Sequence, residues 1–260
     1  MIVHHIINDA FLENGGAQQI VRQLHEGSLA MGLDSRVVAL VGEESQYHGS
    51  NYHPLGLSKS YGVKAFLNVL SYIRRNCSEE DIVHAHLFPT LLYVSLATRV
   101  CRFRGRVVCT EHSTSNRRRG SRIGKIIDRL VYSGYDTVYC ISRGTRQSLA
   151  AWMPSQTNKL KVIENGASVP VKAFTQRAAA DKLIIASAGR LHRSKNYEVA
   201  LRGLSQLRDV EFEYRIAGIG PEEKCLRKLR DQLGLEQKVK FYGYVEDVFE
   251  FLRKADIFLI

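Results

Sequence analysis

The sequence of 260 residues contains no long apolar run. None approaches the roughly 20 residues that cross a bilayer, which excludes a membrane-spanning helix. The five cysteines, Cys77, Cys101, Cys109, Cys140 and Cys225, are scattered and odd in number, with no C-x-x-C pair. That spacing speaks against a disulfide framework or a zinc site and for reduced thiols, so the expected compartment is the cytoplasm. The first residues, MIVHHIIND, lack the basic start and apolar centre of a secretory signal. No G-x-G-x-x-G follows the first apolar run, which counts against a dehydrogenase, and no H-E-x-x-H offers a metalloprotease centre.

Acidic residues are scarce in one region. The formal net charge is +11, and between Arg99 and Arg129 ten Lys/Arg face only Glu111 and Asp128. Such a local excess predicts a basic patch and an anionic partner. Arg117, Arg118 and Arg119 are followed by RIGKIIDRLVYS, where Arg122, Lys125 and Arg129 form a basic stripe. Ile123, Ile126, Ile127, Leu130 and Val131 form an apolar stripe on what is expected to be the other side of that helix. An anionic membrane surface suits the patch. Nucleic acid does not, since no aromatic–basic interleaving or nucleic-acid motif accompanies it.

What is present is strand–helix alternation. IVHHII, DSRVVAL, DIVHAH, RVVCT, TVYCIS and KLKVI read as strands with helices between them. This predicts an α/β domain with a parallel sheet over residues 1–165. Residues 166–181 lie in a stretch with a turn dipeptide, a proline and small residues, which reads as a linker. Alternation restarts at 182–260 with KLIIASA, EFEYRIAG, KVKFYG and DIFLI as strands, forming a second, incomplete Rossmann-like domain. Two such domains in series face a cleft, the natural ligand site. The second ends inside a strand at Ile260, so the chain reads as C-terminally truncated.

Candidate site residues follow from strand ends, where open α/β sheets bind ligands. Gly15 and Gly16 lie between the first strand and first helix, where backbone N–H groups can approach an anion. His86 ends DIVHAH, and His112 follows in TEHS; His84 reads as a core histidine. In ASAGRLHRSKN, Arg190 and Lys195 bring fixed cations to the end of the second domain's first strand. AGIGP, with Gly218 and Gly220, and FYGYV, with Tyr244 and Val245, are two more strand ends expected on the same edge.

In order and spacing, GGAQQIVRQL, DIVHAH, TEHS, VYCIS, VIENG, GRLHRSKN, IAGIGPEE, LGLEQKVKFYGYVEDV and LRKADIFLI resemble the family 4 retaining glycosyltransferases of GT-B fold along the whole chain. The resemblance implies that the second domain binds a nucleotide-diphosphate sugar, UDP- or GDP-linked, without a further cofactor. Arg190 and Lys195 would then hold the donor diphosphate, Gly16 would approach its phosphate, and Gly218, Gly220, Tyr244 and Val245 would lie near the nucleotide. His86 matches a histidine near the transferred sugar, with His112 lining the same cleft. No D-x-D is present, which suits a metal-independent mechanism. Ser168 departs from the family's usual Asp, and the paired glutamates of the family would fall beyond Ile260.

The implied activity is sugar transfer, with retention, to a polyprenyl-linked or saccharide acceptor at the inner membrane face, in surface polysaccharide or lipopolysaccharide synthesis. The 260-residue form is expected to be inactive alone. Alternatives are a sugar-nucleotide epimerase of the same fold and a non-catalytic partner that binds nucleotide or membrane.

Overall fold

The computed structural model describes residues 1–11, 15–43, 51–116, 118–166, 182–207 and 209–259. Two compact units divide between Gly166 and Ala167. The expected linker lies almost wholly outside the described residues.

The first unit alternates β1 (Ile2–Ile7), α1 (Gly16–Ala30), β2 (Asp34–Val41), β3 (Tyr52–Leu57), α2 (Val63–Asn76), β4 (Ile82–His86), α3 (Thr90–Val100), β5 (Arg106–Glu111), α4 (Arg122–Ser133), β6 (Thr137–Cys140), α5 (Arg143–Trp152) and β7 (Leu160–Val162). All seven strands are parallel, in the order β3-β2-β1-β4-β5-β6-β7. Six of them follow from apolar runs. β3 does not, because YHPLGL carries a proline and a glycine, which only an edge strand accommodates.

Alternate residues of β1 serve opposite faces. Ile6 joins Val69, Ile73 and Val94 of α2 and α3 in the main core, while Ile7 meets Val21 of α1 in a smaller one. Ser121 and Ser142 cap α4 and α5 by accepting from Gly124 N (2.9 Å) and Thr145 N (3.0 Å). The serine of VYCIS therefore has a structural role as an N-cap.

The second unit comprises β8 (Leu183–Ala188), α6 (Tyr197–Leu204), β9 (Phe212–Ala217), α7 (Glu223–Gln232), β10 (Val239–Gly243), α8 (Val248–Arg253) and β11 (Ile257–Phe258). Its parallel sheet has the order β10-β9-β8-β11. Phe212, Tyr214 and Ile216 on β9 pack on Leu201, Leu204 and Leu226.

Candidate functional site

In the first unit the strand order reverses between β1 and β4, and loops leaving a parallel sheet at such a point part to form a crevice. Gly15 and Gly16 lie just after β1, and His86 ends β4. Gly15 is the residue before α1, at φ +155°. That positive φ favours glycine, whereas a Cβ on Gly16 would meet no atom within 4 Å.

Next to this crevice the imidazoles form a row. His5 Nδ1 lies 3.3 Å from His86 Nε2, and His86 Nδ1 lies 3.2 Å from His112 Nε2. His86 is fully buried, so both of its nitrogens are committed to neighbouring rings. His112 is only half-buried, which makes it the outward member. His84, the expected core histidine, is buried with Nε2 2.8 Å from Thr110 Oγ1. Burial holds His5 down to about 3 and His112 down to about 4 on the pKa scale, and His84 and His86 well below the usual imidazole value. At neutral pH the row is therefore uncharged and acts through hydrogen bonds.

His5 escapes a reading of motifs. It becomes a neighbour of His84 only through the β1–β4 register, which follows from the strand order rather than from spacing. His5, His84 and His86 also bring ring nitrogens within 4.8 Å of one another. Both nitrogens of His86 and Nε2 of His84 are already engaged, whereas His5 Nε2 is buried with no hydrogen-bond partner among the described residues.

In the second unit β8, β9 and β10 deliver their loops to one edge, as the three glycine-containing strand ends suggest. Backbone bonds tie them together: Gly189 N donates to Ala217 O at 2.9 Å, Gly218 N to Gly243 O at 2.6 Å, and Leu191 N to Ile219 O at 3.0 Å. Gly218 has φ +140°, and a Cβ there would lie 2.0 Å from Gly189 O; one on Gly220 would lie 2.3 Å from Leu191 O. These two glycines are therefore needed for close packing of the loops, whatever they bind.

Leu191 is buried and anchors the loop, while Arg190 and Lys195 stand exposed on either side of it. Among the described residues neither cation has a carboxylate partner, whereas the intervening Arg193 lies 3.4 Å from Glu222. Lys195 ends a 3-10 turn and borders a cavity of about 300 Å³ with Ser187, Tyr197, Tyr214 and Phe258. Tyr244 is exposed and Val245 half-exposed just past β10. The arrangement presents two fixed charges, close backbone and an aromatic face on one sheet edge.

Residues 14–169 match the model of Glycosyltransferase Family 4, and residues 170–260 match that of Glycosyl transferases group 1. The chain belongs to glycosyltransferase family 4. Among curated relatives, the Campylobacter jejuni N-acetylgalactosamine-N,N'-diacetylbacillosaminyl-diphospho-undecaprenol 4-alpha-N-acetylgalactosaminyltransferase is 25% identical over 174 residues, covering 64% of this chain and 47% of that protein. The putative colanic acid biosynthesis glycosyltransferase WcaL of Escherichia coli is 37% identical over 107 residues, 38% of this chain and 26% of WcaL. The chain thus spans about a quarter to a half of such relatives. Anabaena Alr3699/HepE, solved with UDP and glucose, superposes with a TM-score of 0.77 at 15% identity, over 98% of this chain and 73% of that one. The two parallel α/β units are those of GT-B glycosyltransferases, as the resemblance implies.

For this family 4 chain the basic patch needs correction. Arg118 and Arg119 turn inward. Arg118 Nε donates to Asp128 Oδ1 at 2.7 Å, and its guanidinium lies 4.0 Å from the Phe88 ring centroid. Arg119 lies 3.3 Å from Glu111, which also accepts from Tyr132. The only two carboxylates in the basic region are thus buried and consumed by these arginines. Arg117, like Ser168, lies outside the described residues.

Arg122, Lys125 and Arg129 do stand on the surface, but not on the side opposite an apolar stripe. The face of α4 turned to the core is made of Gly124, Asp128, Val131 and Tyr132, with half-buried Ile127 beside them. Of the expected apolar stripe only Ile127 and Val131 therefore face inward. Ile123, Ile126 and Leu130 are exposed beside the cations. The buried Asp128, paired with Arg118 and accepting from Trp152 Nε1 at 3.0 Å, rotates the helix away from the expected orientation.

Proposed function

We propose that this chain carries the acceptor-side domain and the first part of the donor domain of a retaining glycosyltransferase. Its donor is a UDP- or GDP-sugar, and its acceptor a polyprenyl-linked or saccharide chain in surface polysaccharide or lipopolysaccharide synthesis. The observation that carries the reading is the pair Arg190 and Lys195, exposed without carboxylate partners among the described residues, on a loop tied by backbone bonds to the neighbouring strand ends. The named acceptor of the Campylobacter relative and the UDP held by HepE support the two substrate classes. By this reading the protein works in the cytoplasm and touches the inner membrane face from its basic side.

In the transfer the bond from the sugar's anomeric carbon to the diphosphate oxygen breaks, and a bond from that carbon to the acceptor oxygen forms on the same face. The acceptor's proton passes to the departing diphosphate. Negative charge grows on that leaving group, and Arg190 and Lys195 stabilise it without rearranging. The reaction draws on no cofactor beyond the sugar nucleotide. His112, outermost of the neutral row, supplies a hydrogen bond to the sugar, with His86 holding its ring. Gly15 and Gly16 present the start of α1 to phosphate, and Tyr244 and Val245 border the base.

Titration calorimetry of the chain with UDP and GDP tests the reading. Removing two charge-assisted contacts in Arg190→Ala/Lys195→Ala is expected to weaken binding on the order of a hundredfold. Because both side chains are exposed, the melting temperature should not move. Unchanged nucleotide affinity in the double variant would overturn the assignment.

A further inference from the structure

The outer face of the helical layer formed by α2, α3 and α4 has an unusual composition. α3 packs between α2 and α4. A helix whose outer side meets water normally turns polar residues outward. In α3 the sequence TLLYVSLATRV leaves Leu92 and Leu96 half-buried and Val100 exposed. On one flank α2 exposes Val63 and Leu67; on the other, α4 exposes Ile123, Ile126 and Leu130 at 72%, 70% and 42%. The α4 residues recur at three- and four-residue intervals, so they form one stripe rather than isolated points.

The charge on the same helices is of one sign. α4 contributes Arg122, Lys125 and Arg129, each one position before an exposed apolar residue, so that basic and apolar stripes run side by side. α2 adds Lys64, Arg74 and Arg75, and α3 adds Arg99, all exposed. Against these seven cations the three helices carry a single carboxylate, Asp128, which is buried against Arg118. Arg99 donates to Ser133 Oγ at 2.7 Å and Lys125 lies 5.3 Å from the Trp152 ring centroid, neither of which cancels charge.

Apolar stripes flanked by cations match the interfacial zone of an anionic bilayer. There apolar side chains enter the acyl boundary while Lys and Arg stems reach headgroup phosphates. A second copy of this chain fits the face poorly, because two surfaces of seven cations each would repel.

We propose that the outer face of α2–α4 is a docking surface for an anionic lipid bilayer, with α4 lying in the interface and Ile123, Ile126 and Leu130 inserted below the headgroups. This deepens the membrane contact proposed above and rests on that reading. It also moves the contact away from Arg118 and Arg119. The amino ends of α2 and α4 meet through Tyr61, Phe88 and Arg118: the two rings are 6.4 Å apart and Arg118 covers Phe88. The docked face thereby borders the sheet edge that carries His112, where a lipid-linked acceptor would present its head.

Vesicle flotation tests the docking, with UDP titration of the same preparations run separately. The chain is expected to float with phosphatidylcholine vesicles containing phosphatidylglycerol and to remain behind with phosphatidylcholine alone. Arg122→Gln/Lys125→Gln/Arg129→Gln should lower vesicle affinity on the order of a hundredfold. Ile123→Ser/Ile126→Ser should lower it about tenfold while keeping its salt dependence. Both variants alter exposed side chains, so unchanged melting and UDP binding would show an intact fold.

Equal flotation of all three proteins, or flotation indifferent to phosphatidylglycerol, would overturn the proposal. So would a dimer in sedimentation velocity that Ile123→Ser/Ile126→Ser disperses, with no vesicle binding. Failure of the unaltered chain to bind phosphatidylglycerol vesicles while it still binds UDP or GDP would sink the docking surface alone. Vesicle binding by the unaltered chain with affinity for neither UDP nor GDP would sink the donor site alone.

Discussion

The strand-end edges of the two units solve different electrostatic problems. In the first, imidazoles are packed inside, neutral, and matched to one another at 3.2–3.3 Å. In the second, Arg190 and Lys195 stand in solvent, while glycines bring the backbone beneath them into contact. Neutral groups in a dry interior keep their geometry but cannot hold an anion. Solvated cations can hold one and lose little of their charge to neighbours. The difference teaches that one chain uses its strand ends in two ways, enclosing neutral rings in one unit and leaving fixed charges in solvent in the other.

That contrast can be broken most directly at Gly218. Gly218→Ala forces a Cβ to within 2.0 Å of Gly189 O, at a positive φ. It should destabilise the second unit by about 2–4 kcal/mol, read as an earlier denaturant midpoint. Intact stability would show that the loops are not locked together.

Next in size is His86→Leu in the first unit, which leaves His5 and His112 without their shared partner. A loss of about 2 kcal/mol is expected, with the second unit's transition unmoved. A stabilised variant would mean that the contacts of His86 with His5 and His112 do not support the fold.

Acid titration sharpens the comparison further. His5 and His112 are neutral in the fold down to about 3 and about 4, but an unfolded imidazole takes up a proton near 6.5. The unfolded first unit therefore binds more protons as pH falls from 6.5 towards 4, and its stability drops across that window. Glu213 in the second unit is buried, which alone would raise its pKa. Hydrogen bonds from Arg215, Lys240 and Lys182 outweigh burial and hold it at about 2. Its contribution persists to about pH 4.5 and is lost towards 2. The first unit should thus melt out at milder acidity, measured as two stepped transitions; the opposite order would contradict the assignment.

The smallest effect belongs to Gly16→Ala. With no atom within 4 Å of the new Cβ, stability should stay within about 0.5 kcal/mol. Only UDP or donor affinity should register the change.

Much of this was legible in the residues because parallel strands flanked by helices leave a strong apolar rhythm. β3 was not, since Pro54 and Gly56 hide an edge strand among turn residues. The three strand ends of the second unit could be read because each ends in small residues before a helix. His5 could not: its partnership with His86 depends on β1 lying beside β4, a matter of topology across 81 residues. The facing of α4 departs from its periodicity for another reason. Its amphipathic pattern is real, but a buried Asp128–Arg118 pair takes the core side that periodicity assigns to isoleucine. Counting charges along the chain likewise could not distinguish arginines that neutralise buried carboxylates from those left at the surface.

The row His5–His86–His112 has one more property. A neutral imidazole carries a single N–H, so each ring offers one donor and one acceptor nitrogen. In His5 only Nδ1 is engaged, Nε2 being buried without a hydrogen-bond partner among the described residues. If His86 gives its hydrogen to His112, its remaining nitrogen must receive one from His5; if it receives from His112, it must give to His5. The three rings therefore share one polarity, with two settings and no stable halfway state. The tautomer of half-buried His112 and that of buried His5 are thus tied to each other through His86.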